Sequence, residues 1–151
     1  MRNETFDRAI DQLLQRDARY PRAAYELMPE VLDYTFRERQ RHERTENLHT
    51  SARHPQHVSG QQLAEGFRDY LLNLYGPFAA DVVEKLRIRS TMDIGNLVYN
   101  LISVGCFGKT KEDRIEDFLE VYDFKEAFVR PYDVQNPEYW STQKNNENGL
   151  A

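Results

Sequence analysis

Residues 57–110 carry three successive helix signals, each with its own start and stop, and they commit the chain to a helical core. Ser59 followed by Gln62 is a capping-box pattern, in which hydroxyl and amide satisfy orphan backbone donors at a helix start. Leu63, Phe67, Tyr70, Leu71 and Leu74 then recur at helical spacing and form one apolar face. Gly76 suits the left-handed conformation that ends a helix, and Pro77 suits the first position of the next. The second helix is predicted to carry Phe78, Val82, Val83 and Leu86 on its apolar side and to end near Arg87. After a short link, Ser90 or Thr91 caps a third helix, with Asp93 placed to complement the N-terminal dipole. Its buried stripe is Ile94, Leu97, Val98, Leu101 and Ile102, and Gly105 is its expected C-terminal cap.

Residues 5–16 read as an amphipathic helix with Phe6, Ile10, Leu13 and Leu14 on one face. Tyr20-Pro21 marks a boundary, because the residue before a proline is pushed away from helical geometry. A helix from Pro21 is predicted to bury Ala24, Tyr25, Met28, Val31, Leu32 and Phe36. Pro29, inside that pattern, is expected to kink or restart it. Residues 37–56 hold five arginines against three glutamates, plus three of the four histidines, and read as a helix end that runs into a mobile polar loop.

Residues 106–124 admit two readings. Ile115, Phe118, Leu119 and Tyr122 fit a helix capped by Thr110 with Asp113. Alternatively, 105–109 and 114–120 form two short strands around a polar turn. Asp123 then caps a last short helix bearing Phe124, Ala127 and Phe128. The expectation is a mainly α, compact domain over 1–131 with about five to seven helices. A β-hairpin after the third central helix would make it winged-helix-like. Residues 132–151 are expected to be a polar, largely disordered tail, with Tyr132, Tyr139 and Trp140 available to tether its first part.

A chain of 151 residues buries a sizeable core without staples. The single cysteine, Cys106, excludes an internal disulfide framework and fits a reducing compartment. The first residues lack the apolar run of a secretory signal, and no stretch approaches a membrane span, so a cytoplasmic protein is expected. The net charge of −5 is unevenly placed. Residues 1–58 carry ten acids and ten bases, 59–110 five of each, and 111–151 ten acids against five bases.

The segments HVSGQQLAEGFRDYLLNLYGPFAADVV (57–83), TMDIGNLVYNLISVGCFGKTKEDRIEDF (91–118) and YDFKEAF (122–128) together resemble an uncharacterised protein family of planctomycetes and verrucomicrobia. DARYPRAAYELMPEVLDYT (17–35) fits the same family, so the resemblance covers most of residues 5–131. That family has no assigned activity, and the resemblance implies no substrate, cofactor or catalytic residue.

Among candidate sites, His54 and His57 have a chelating spacing, but a zinc site needs three or four ligands and ordered supporting partners. His57, two residues before the Ser59 cap, reads as a structural histidine, and no metal or cofactor is expected. Cys106 sits next to an apolar helix and reads as a small buried residue more than a reactive thiol. Gly105-Cys-Phe-Gly-Lys-Thr ends like a phosphate-binding loop, but only two residues separate its glycines where four are required. The acids Glu112, Asp113, Glu116, Asp117 and Glu120 read as a solvated face able to attract a basic partner.

With no catalytic constellation in view, the leading expectation is a non-enzymatic protein-interaction module, its partner another protein. The competing expectation is binding to nucleic acid or the ribosome through Arg37, Arg39, Arg41, Arg44 and Arg53 with Lys85, Arg87 and Arg89. The third central helix carries no lysine or arginine, so a winged helix built on it would suit protein contacts better than DNA.

Overall fold

The computed structural model describes residues 3–46, 57–138 and 140–141. The fold is mainly α, and five helices carry it among these residues: α1 (Glu4–Arg16), α2 (Arg22–Glu46), α3 (Gly60–Tyr75), α4 (Ala79–Lys85) and α5 (Thr91–Ser103). One core joins them. Ile10 and Leu13 of α1, Tyr25 and Met28 of α2, Phe67 and Leu71 of α3, and Ile94, Leu97 and Leu101 of α5 are all sealed from solvent.

The caps explain where the helices begin and end. Ser59 Oγ accepts the Gln62 N–H while the Gln62 side chain accepts the Ser59 N–H, so both orphan donors at the start of α3 are satisfied. At α5 the reciprocal pair is Ser90 with Asp93. The Asp93 carboxylate also accepts the Tyr20 hydroxyl, which ties this cap to the turn before α2. Gly76 (φ 51°) ends α3, and Gly105 (φ 77°) ends α5. At the latter the Gly105 N–H donates to Ile102 and the Cys106 N–H to Leu101, the paired bonds of a Schellman motif.

Three expectations are corrected. First, of the two outcomes expected at Pro29 the restart does not occur: α2 runs on as one helix to Glu46. Burial of Ala24, Tyr25, Met28, Val31 and Thr35 on both sides of the proline holds the helix across the missing N–H. Second, Phe78 is 68% exposed. Gly76 and Pro77 place it in a 3-10 turn (Gly76–Phe78), off the buried stripe of α4. Third, residues 105–120 form neither a helix capped at Thr110 nor a hairpin, and no strand occurs among the described residues. Asp113 Oδ2 accepts the Thr110 N–H at 2.7 Å and Asp117 Oδ2 accepts the Arg114 N–H at 3.1 Å. Such local side-chain acceptors compete with both helix and ladder, and the segment settles into turns followed by a 3-10 helix (Ile115–Phe118). The wing of a winged helix is therefore not formed here.

Asp123 does cap the last element, accepting from the Lys125 and Glu126 N–H groups, but that element is a single π-helical turn (Lys125–Val129). Phe67, Tyr122, Phe124 and Phe128 meet there in stacked and edge-on contacts. In the first part of the tail, Asn136 is buried, and the Trp140 indole N–H donates to the Val134 carbonyl. Residues 47–56 with His49, Arg53 and His54, Tyr139, and residues 142–151 lie outside the described residues.

Candidate ligand-binding cleft

α2, the start of α3, α5 and the 105–118 segment enclose a cavity of about 230 Å³. Its walls are apolar: Leu32 and Phe36 from α2, Leu63 from α3, Val98 and Ile102 from α5, with Phe107 and Phe118 from the connecting segment. The 105–118 segment reaches the cavity because the Schellman turn reverses the chain at Gly105 and Phe118 anchors its other end in the core.

Polar groups line the cleft as well. His57 Nε2 lies 3.0 Å from Asp113 Oδ1, and the His57 carbonyl accepts from the Arg39 guanidinium, so residue 57 is tied to both α2 and the 113 turn. Burial by itself would raise the Asp113 carboxyl, but the Thr110 N–H and the His57 ring outweigh it and hold the carboxyl below its ordinary value. Tyr99 lines the cleft with its hydroxyl buried and without a hydrogen-bond partner. Burial, and then the nearby charges of Asp113, Asp117 and Glu116, push this phenol up, so it stays a proton donor across the neutral range. Lys109 Nζ stands 5.7 Å from the centre of the Tyr99 ring, within cation–π range. Arg114 also lines the cleft. Neither cation has a carboxylate partner among the described residues.

A histidine oriented by a carboxylate is also half of a nucleophilic triad. The hydroxyl nearest in sequence, Ser59 Oγ, is engaged as the α3 cap. Cys106 does not line the cleft, and burial pushes its thiol up. The cleft offers apolar walls, one buried donor and two cations without a carboxylate partner among the described residues.

The residues singled out from sequence scatter. His57 reaches the cleft, where its partner is Asp113 instead of a second histidine. Among the described residues no three metal-ligating side chains converge. The acidic face divides: Asp113 enters the cleft, Asp117 caps the 3-10 helix, and Glu112, Glu116 and Glu120 stay exposed. Arg37 pairs with Asp33, Arg39 with Glu43 and Arg41 with Glu38, all along α2, and Arg44 lies exposed in the last turn of that helix. Lys85, Arg87 and Arg89 lie at the α4–α5 junction, where Arg87 donates to the carbonyl of Ala18, just before α2. The two basic groups are thus at opposite ends of α2, about 25 Å apart at 1.5 Å per residue. Tyr99 and Arg114 carried no signal in the sequence as site residues.

This arrangement gives a mainly α fold that carries a mixed-polarity cleft. No family model, curated protein or solved structure matches the chain. None of the helices among the described residues is long and apolar enough to cross a membrane.

Proposed function

We propose that the protein is a non-enzymatic protein-interaction module that holds a segment of a partner protein in this cleft. One observation carries the reading. Tyr99, whose hydroxyl is buried without a hydrogen-bond partner, lines an apolar cavity together with two cations that have no carboxylate partner among the described residues. Native proteins leave few buried polar groups unsatisfied, and a bound segment would satisfy this one. The exposed Glu112, Glu116 and Glu120 beside the 113–117 turn would draw basic residues of the partner toward the site. A cytoplasmic setting suits the single free cysteine.

The competing reading, binding to nucleic acid or the ribosome, draws less support. Arg37, Arg39 and Arg41 already face carboxylates on their own helix, and the second basic group is remote from them. A photo-cross-linking residue introduced at the position of Lys109, and separately at Lys85 outside the cleft, tests the proposal in cells. A partner cross-linked from position 109 and not from 85 is expected. Cross-linking to RNA from position 85 alone would favour the competitor. Turnover of a small substrate that is lost on replacing one cleft residue would overturn the non-enzymatic reading.

A further inference from the structure

The chemistry of the cleft specifies what part of a partner it takes, an inference that rests on the reading above. A cavity of about 230 Å³ is smaller than the roughly 300–1,000 Å³ of sites for drug-sized ligands. It exceeds the roughly 150 Å³ that admits benzene. One apolar side chain fills such a space; a nucleotide cofactor does not fit.

Next to the cavity the acids are partly engaged. Asp113 is held by His57 and the Thr110 N–H, and Asp117 by the Arg114 N–H. The donors with unused capacity are the Lys109 ammonium, the Arg114 guanidinium and the Tyr99 hydroxyl. Tyr99 sits deeper, its oxygen out of contact with solvent, whereas Lys109 and Arg114 are exposed at the mouth. Asp113, Asp117 and Glu116 act on Tyr99 with a negative field. A ligand anion is therefore better placed at the outer cations, with a neutral acceptor facing the phenol.

We propose that the cleft captures the C-terminus of a protein chain: the last, apolar side chain enters the cavity, the terminal carboxylate meets Lys109 and Arg114, and a preceding peptide carbonyl accepts from Tyr99. Recognition of a terminal carboxylate is an established way of reading a chain end, and charge-assisted bonds of this kind are the stronger ones. An internal segment could fill the cavity but would supply a counter-charge only through an acidic side chain, whereas a chain end always carries one.

The probes are acetyl-Gly-Gly-Leu with a free carboxylate and the same peptide as its C-terminal amide, titrated into the full chain at millimolar concentration. Amide-proton shifts are read by NMR at residues lining the cleft. The acid is expected to bind at least about tenfold more tightly than the amide, the loss of one charge-assisted bond. Lys109→Met and Arg114→Gln should weaken the acid and leave the amide unchanged; Arg114→Gln keeps the backbone N–H that Asp117 needs. Tyr99→Phe should weaken both, with circular dichroism confirming that each variant is folded. Equal binding of acid and amide overturns the proposal, as does the absence of shifts with either. If cleft shifts are absent while position 109 still cross-links a partner, the interaction module stands and only C-terminal recognition falls. If both experiments are negative, both readings fall.

Discussion

Phe118 packs so closely on Gly95 that a methyl group built on that glycine would lie 2.9 Å from both Cβ and Cγ of the phenylalanine. The same ring crowds Gly60, the first residue of α3, at 3.0 Å. Thr91 completes the clamp, donating to the Phe118 carbonyl at 2.6 Å and accepting the Val121 N–H at 3.2 Å. The segment that makes one wall of the cleft is thus fixed to α3 and α5 by a single ring between two bare backbones.

Gly95→Ala tests this clamp through the sign of its effect. In a helix interior the change gains about 1 kcal/mol of propensity. Overpacking a full core costs about 1–3 kcal/mol, and Cβ contacts at 2.9 Å require the ring to move. A net loss of stability is expected, read as a lower urea midpoint at unchanged slope. A higher midpoint would mean that the ring yields easily and that the cleft wall is soft.

Gly66 on α3 meets α2 more tightly still: an added Cβ would lie 1.9 Å from Thr35 Oγ1 and 2.9 Å from Thr35 Cβ. Thr35 is buried and donates back to the Val31 carbonyl. Gly66→Ala should therefore cost more than Gly95→Ala. Thr35→Ala should restore part of that loss, because it removes Oγ1 and leaves Cβ. In a double-mutant cycle the two changes should couple by at least about 1 kcal/mol; strict additivity would contradict the contact.

These glycines show where sequence reading stops. Periodicity and caps fix the helices, because both are local: Ser59 with Gln62, Ser90 with Asp93, and Gly105 after Ser103 behave as their spacing demands. Pro29 does not restart the helix because tertiary burial on both sides of it, which no local rule contains, keeps α2 whole. The 105–120 segment misled because Asp113 and Asp117 spend their carboxylates on nearby backbone N–H groups. Of the polar groups in the cleft, His57 and Asp113 were in view as isolated residues. Their convergence was not, since 56 positions separate His57 from Asp113 and only the packed helices bring them together. Tyr99, at the edge of the α5 stripe, gives no sign in the sequence that its hydroxyl ends buried.

The His57–Asp113 contact should make the stability of this end of the molecule sensitive to acid. The Asp113 carboxyl is held below its ordinary value of about 3.9. A depressed folded-state value means that its contribution is present above the unfolded-state value and fades as pH falls through the folded-state one. Asp113→Asn should therefore be less stable than the parent near neutrality. The difference should shrink as the pH is lowered below about 3.9 and disappear once the parent's Asp113 is protonated in the folded state as well. Denaturation curves collected from pH 7 downwards check this; a difference that persists unchanged into strong acid would mean that Asp113 acts through its shape alone.

Tyr99→Phe separates stability from binding. A buried hydroxyl with no partner leaves a desolvation cost of about 1–3 kcal/mol in the folded state, and removing it should relieve part of that cost. For a chain of this length a gain of 1 kcal/mol raises the melting temperature by about 2–4 °C. The ring keeps its packing and its contact with Lys109, so little else changes. A ligand that accepts from the hydroxyl reverses the order, because binding to the native state stabilises it by an amount that grows with the logarithm of affinity. Without ligand the variant should melt above the parent; with saturating acetyl-Gly-Gly-Leu acid the parent should gain more than the variant. A variant that melts lower without ligand would show that the hydroxyl is already satisfied, and the reason for expecting an occupant in the cleft would weaken with it.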